Sequence, residues 1–151
     1  MTAIPDRSDA LPCPERTPEF YEGLVVKRGL AWVVDALAIT LASALVIVLT
    51  LGAALFVWPL VALAVGAVYR VSTLARGSAT WGMRLMGIEL RDHAARRLDG
   101  QTAALHVLGY YVSVSFALLP VLASVVAMLA TERRQGLTDL ILGTAAINRP
   151  G

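Results

Sequence analysis

The sequence predicts an all-α membrane protein with three transmembrane helices. Hydrophobic residues make up 57% of the 151 residues and charged residues only 16%, whereas soluble domains carry about 25% charged residues. The apolar residues also form blocks of about 20 residues or more, the length at which a helix crosses the ~30 Å hydrocarbon core. We therefore predict a helical hairpin and a third, proline-kinked span, with a short amphipathic or β-hairpin loop between them.

Residues 1–22 precede the first apolar block and are predicted to form a disordered N-terminal tail. They contain four prolines among alternating charges, a composition that does not build a core. This stretch has no apolar h-region, so the first span is expected to serve as its own insertion signal. Residues 23–148 are expected to form one transmembrane domain.

The first hairpin combines a span from Leu24 or Arg28 to Leu49 with a second span over residues 55–74. A single helix over residues 24–74 would be about 75 Å long, so the chain must turn back. Gly52 permits a tight turn between the two spans. Pro59 suits the first turn of the second helix, because a first-turn proline sacrifices no intrahelical hydrogen bond.

The polar segment over residues 76–103 contains five arginines. Within it, "GIEL" is typical of a short strand and Asp99-Gly100 of a turn, which together predict a small β-hairpin lying on the membrane surface. Because positive charge accumulates on the cytoplasmic side of membrane proteins, we expect a multi-pass plasma-membrane protein. Its N-terminus and its 76–103 loop are expected to be cytoplasmic.

The third apolar block runs from Ala104 to Ala130, with Pro120 near its middle. As one kinked span, it would place Arg133 and Arg134 outside the cell, against the charge rule. As a re-entrant pair, it would return the tail to the cytoplasm. Length favours a single span, but the sequence leaves both arrangements open.

Asp35 requires explanation because it lies inside the first span, where a carboxylate costs about 2.5–3.5 kcal/mol at mid-helix. Arg28 is seven residues earlier on the same helical face, about 10 Å away along the axis, which is too far for a direct ion pair unless its side chain bends inward. We therefore expect a partner from elsewhere in the chain, with the charges clustered at one depth. The candidate partners are Arg28, Arg70, Arg84 and His106.

The chain resembles the RDD family of membrane proteins, which is named for an Arg and an Asp on the first span and a second Asp near the C-terminus. "VKRGLAWVVDAL" supplies Arg28 and Asp35, and "RRQGLTDLILGT" supplies Asp139. The resemblance implies that these three residues form a site. Further matches lie in "ATWGMRLMGIEL" and in the C-terminal motif: Thr80, Gly82, Arg84, Gly87, Gly143 and Thr144.

Three positions depart from the pattern that is typical of the family. Trp81 replaces a proline, Met83 replaces a lysine and Thr138 replaces a histidine. The histidine would have supplied a group that titrates near neutral pH. Its absence counts against proton-coupled chemistry in this chain.

The buried Arg/Asp/Asp cluster allows two functional interpretations. It can be an ion-pair network that locks the helices together in an accessory or structural protein of a transport or envelope complex. It can instead be a cation or proton site, in which case the chain is an oligomeric antiporter that uses Asp35 and Asp139. The resemblance supports this alternative, since similar members are associated with sodium–proton exchange.

Other classes of function lack a pattern in the sequence. No catalytic set or metal-ligand spacing is visible and Cys13 is the single cysteine, so we expect no enzyme activity, metal or cofactor. The basic residues follow topology, which argues against nucleic-acid binding. The expected partners are the lipid bilayer and either further copies of the chain or a larger membrane complex, because three spans are few to enclose a path.

Overall fold

The computed structural model describes residues 10–116 and 118–149, which are mainly helical. The elements in chain order are α1 (Leu24–Leu49), α2 (Trp58–Gly77), α3 (Trp81–Leu85), β1 (Ile88–Arg91), α4 (Gly100–Ser115), α5 (Leu118–Ala130), α6 (Leu137–Leu142) and β2 (Ala145–Asn148).

The first two helices form the predicted hairpin. In the described part of the chain, α1 and α2 are the two helices long and apolar enough to cross a membrane. Gly52, at a φ of 86°, opens a short 3₁₀ turn between them, and Pro59 lies in the first turn of α2 as predicted. Large apolar side chains such as Leu41 and Leu60 point outward and are 71% and 66% exposed. Outward apolar faces suit helices surrounded by lipid.

The third apolar block is not the single proline-kinked span that was predicted. It forms two helices, and the break between α4 and α5 precedes Pro120. Pro120 then lies in the first turn of α5, where its missing N–H would have no intrahelical partner in any case. The two helices correspond to the alternative that the sequence left open, in which the block divides into a pair, except that Pro120 follows the break.

Helices α4 and α5 double back on each other, and their arrangement follows from their contacts with α6. Gly109 of α4 packs closely against Thr138. The backbone N–H of Leu137 donates to the Ser124 hydroxyl of α5 at 3.2 Å. The start of α6 thus touches both helices well away from the break between them, so α4 and α5 form a second helical hairpin.

Strand β1 confirms the predicted strand, but its partner is not within the loop. It pairs antiparallel with β2, with Ile88 opposite Asn148 and Arg91 opposite Ala145. The predicted local β-hairpin is therefore wrong. Asp99 does not lie in a turn between two strands, as predicted, but at the N-cap of α4. Its carboxylate accepts a hydrogen bond from the Thr102 N–H at 2.7 Å.

The structure differs from the predicted disordered tail over residues 10–22, while residues 1–9 lie outside the described residues. Leu11 and Tyr21 are only 6% and 5% exposed. The Tyr21 hydroxyl donates to the Pro12 carbonyl at 2.8 Å, and the Asn148 amide donates to the Glu19 carbonyl at 2.6 Å. The buried side chains of Leu11 and Tyr21 and the hydrogen bond from Asn148 therefore hold this segment against the fold, although its prolines and charges are typical of a disordered tail.

The buried apolar core lies at one end of the two long helices. It combines the start of α1, the end of α2, both strands and the start of α4. Its main members are Leu24, Leu74, Ile88, Leu90, Ala103, Val107, Ala146 and Ile147. This core gathers the polar residues of the sequence motifs at the same end of the molecule.

Candidate functional site

Asp35 is buried on α1, at 5% exposure, and its partners are neutral. Its Oδ1 accepts from the Tyr69 hydroxyl at 2.7 Å and from the Gly82 N–H at 2.9 Å. Its Oδ2 accepts from the Thr80 hydroxyl at 2.7 Å. These three neutral donors stand in place of the cation that the sequence predicts.

The donors to Asp35 converge because α3 begins beside it. The first N–H groups of a helix have no intrahelical acceptor, and here the Gly82 N–H finds the carboxylate. The Thr80 hydroxyl caps the same turn by accepting from the Met83 N–H at 3.2 Å. The Tyr69 hydroxyl also accepts from the Trp81 N–H at 3.1 Å. Asp35 is thus the acceptor that anchors the start of α3.

Gly82 is required by the close approach of α3 to α1. A Cβ at this position would overlap the Ala31 carbonyl oxygen and would stand 2.8 Å from Asp35 Oδ1. Any side chain would therefore push the two helices apart. Of the motif residues that the resemblance identified, Thr80 and Gly82 therefore serve to bind Asp35.

Asp139 lies at the third position of α6 and is fully buried. Its Oδ2 accepts from Arg28 Nη1 at 2.6 Å and from the Gly136 N–H at 3.1 Å. Its Oδ1 is 2.9 Å from His106 Nε2 and accepts from the Thr144 hydroxyl at 3.1 Å. An ionised carboxylate offers about four acceptor positions, so this set fills Asp139.

The charge of Asp139 is stabilised by its cationic and polar neighbours. Burial alone raises the pKa of a carboxyl, but Arg28 first, and then His106, outweigh burial and hold the pKa of Asp139 well below its ordinary value. The carboxylate therefore stays ionised at neutral pH. The resulting ion pair joins the first turns of α1 to α6, and His106 adds α4.

The structure brings Arg28 and Asp139 together, as the resemblance implies, but places Asp35 with other partners. Among the described residues, no hydrogen bond or ion pair links Asp35 to Arg28 or to Asp139. The single cluster of three expected from the sequence is therefore two sites, and α1 connects them because it carries both Arg28 and Asp35.

The remaining candidate partners of Asp35 lie elsewhere. His106 contacts Asp139, and Arg70 lies against the ring of Tyr110. Arg84 packs over Gly77 at the end of α2.

Gly87 and Gly143 have backbone roles. Both adopt positive φ angles, 68° and 63°, where a residue with a Cβ is disfavoured. Gly87 turns the chain from α3 into β1, and Gly143 ends α6 ahead of β2. Thr144 also belongs to the Asp139 site through its hydroxyl.

Sequence reasoning missed two important contributors. Tyr69 was not recognised, because a tyrosine in an apolar span is typical of a lipid interface. His106 was considered only for Asp35. The "GLTD" spacing is the one local sequence signal for the Asp139 site. An acidic residue three positions after Gly136 can accept the Gly136 N–H at the start of a helix. Within the described residues, no three His, Cys, Asp or Glu side chains come together as a metal site requires.

Comparison with known proteins agrees with the motifs. The family model described as "RDD family" matches residues 23–143, a range that contains both Asp35 and Asp139. No curated protein and no solved structure matches the chain.

Proposed function

We propose that this chain, which belongs to the RDD family, is a small non-enzymatic membrane protein that acts as an accessory or structural subunit of a larger membrane complex. In this role its acidic residues hold the fold together and do not carry ions. The lipid-facing surfaces of α1 and α2 remain available to a partner or to further copies of the chain.

The observation that carries this proposal is that the chain itself fills the acceptor positions of Asp139 and most of those of Asp35. Asp139 receives two contacts on each oxygen, and Asp35 receives three in all. A transported cation would have to displace these donors, two of which are backbone N–H groups that cannot rotate away. Each displaced and buried donor costs about 1–3 kcal/mol.

The membrane topology that we propose has two spanning helices and a re-entrant α4–α5 pair. Helices α4 and α5 contain 16 and 13 residues, which at 1.5 Å per residue are shorter than the ~30 Å hydrocarbon core. Both ends of the described chain then lie beside the 76–103 loop. Arg133 and Arg134 also reach that side, which agrees with a cytoplasmic assignment in the plasma membrane.

Reconstitution of the purified full-length protein tests the proposal against the antiporter alternative. Vesicles containing this protein alone are exposed to a sodium or potassium gradient while an internal dye reports pH. We expect no proton movement above that of protein-free vesicles. We also expect mild detergent to extract the protein from native membranes in an assembly larger than the chain, with a second protein in fixed ratio.

The antiporter alternative makes the opposite prediction in the same vesicles. Cation-driven proton movement that disappears in Asp35→Asn, but persists in the exposed control Glu15→Gln, would overturn the accessory role. Both variants must retain the helical content of the wild-type protein, so that loss of flux is not loss of fold.

A further inference from the structure

A groove between α1, α2 and α4 contains a buried cation outside the two acidic sites. Its volume is about 260 Å³, and its wall includes Arg70 together with Tyr110 and Tyr111. Ile39 and Leu63 supply apolar wall from the two long helices. The groove thus combines one positive charge, two phenol rings and aliphatic surface.

Arg70 lacks an acidic partner. It is 9% exposed, and in the described part of the chain no ion pair joins it to a carboxylate. Its guanidinium carbon lies 4.6 Å from the centroid of the Tyr110 ring, a cation–π contact that orients the group without neutralising it. Buried arginines are otherwise paired with acidic groups, so the Arg70 guanidinium presents to the groove a positive charge that no carboxylate offsets.

The groove is held in shape by hydrogen bonds between its helices. Trp32 Nε1 of α1 donates to the Tyr110 hydroxyl of α4 at 2.9 Å. The Tyr111 hydroxyl donates to the Leu63 carbonyl of α2 at 3.3 Å. The ring that supports Arg70 is therefore fixed to a neighbouring helix before any ligand arrives, which reduces the ordering cost of binding.

The position of Arg70 along α2 indicates what the anion is. Arg70 lies seven residues before the end of α2 at Gly77, which is about 10 Å along the helix axis. In the proposed two-span topology this depth lies below the membrane surface, where an anion joined to an apolar group is favoured over a free ion. A phospholipid meets both requirements, because its phosphate is joined through glycerol to acyl chains.

We propose that this groove is a binding site for the phosphate of an anionic phospholipid, with the Arg70 guanidinium on the phosphate and the glycerol and upper acyl chains along the aliphatic wall. Binding at this site differs from the general attraction of anionic lipids by the arginines of the 76–103 loop, because it depends on one buried side chain, Arg70.

Lipid retention measured by mass spectrometry tests the site. The full chain is placed in nanodiscs of equal phosphatidylglycerol and phosphatidylcholine, then released gently, and the bound lipids are counted. We expect wild-type protein to retain phosphatidylglycerol about fivefold over phosphatidylcholine, the ratio that follows from about 1 kcal/mol per basic residue. Arg70→Gln should lose this preference, while Arg76→Gln, at an exposed position on the same helix, should keep it.

Two further arms make the result decisive. Ile39→Trp fills the groove without changing any charge and should also abolish the preference; it replaces Arg70→Gln if that variant fails to fold. Millimolar inorganic phosphate should leave the retained lipid in place. An unchanged preference in folded Arg70→Gln or Ile39→Trp would overturn the proposal. Displacement of the lipid by inorganic phosphate would also overturn it, in favour of a site for free anions.

Discussion

Substituting Asp35 separates a hydrogen-bonded anchor from an ion carrier. In Asp35→Asn, the amide oxygen can still accept from Gly82 and Tyr69, and the amide nitrogen faces the Thr80 hydroxyl, which has acceptor capacity. We expect a loss of about 1 kcal/mol in the free energy of unfolding, typical of one weakened hydrogen bond. Asp35→Leu has a similar size but accepts nothing.

The leucine variant should cost considerably more. It leaves the buried Gly82 N–H and the part-buried Tyr69 hydroxyl without their acceptor, while the Thr80 hydroxyl can turn elsewhere. At about 1–3 kcal/mol for each orphaned donor, the loss should be roughly 3 kcal/mol or more. Unfolding by dodecyl sulfate titration in mixed micelles, followed by far-ultraviolet circular dichroism, measures both values.

Ser43→Ala provides a matched control on the same helix. Its hydroxyl is buried and has no hydrogen-bond partner in the described part of the chain, so its removal should leave the free energy of unfolding unchanged or raise it. An Asp35→Leu variant as stable as Asp35→Asn would refute the anchoring role, because the donors to Asp35 would then contribute nothing.

Three further predictions concern packing, the N-terminal segment and pH. Gly82→Ala should lower the free energy of unfolding by about 1–3 kcal/mol or more, because the added methyl group would overlap the Ala31 carbonyl oxygen. Gly100→Ala, whose methyl group would meet no neighbouring atom, should leave the free energy of unfolding unchanged. Equal melting temperatures for the two variants would refute this prediction. Asn148→Ala should increase hydrogen exchange over residues 18–22, because its amide donates to the Glu19 and Glu22 carbonyls, and unchanged exchange would count against that role. Because the pKa of Asp139 is lowered in the folded state, the stability that its ionisation contributes is fully present above the unfolded value of about 3.9 and declines as the pH falls below that value. Stability titrations of Asp139→Asn should lack that acid decline, and an identical decline in both proteins would contradict the assignment.

The sequence predicted those parts of the fold that local pattern determines. The α1–α2 hairpin follows from block length, a turn glycine and a first-turn proline. The strand over residues 88–91 follows from its composition. The strand's partner did not follow, because β2 lies more than 50 residues further on, within a short apolar run of the kind that helices also contain. Pairing across such a separation depends on the tertiary fold.

The same distinction applies to the site. Family resemblance identified Arg28 and Asp139, which do form an ion pair. It did not identify the partners of Asp35, because a buried carboxylate in a span suggests a cation, whereas here hydroxyl and backbone donors bind it once α3 docks. Neutral donors of this kind leave no charge pattern in a sequence, and their positions depend on where the helix begins.

A double-mutant cycle on Arg28 and Asp139 tests the central claim that buried charge holds this fold together. The free energy of unfolding is measured for the wild-type protein, Arg28→Gln, Asp139→Asn and the double variant in the same micelles. Removing one member of a buried pair costs about 3–5 kcal/mol, and Arg28 is 18% exposed, so we predict a coupling energy of about 2 kcal/mol or more. Costs that add to within about 0.5 kcal/mol would contradict the claim.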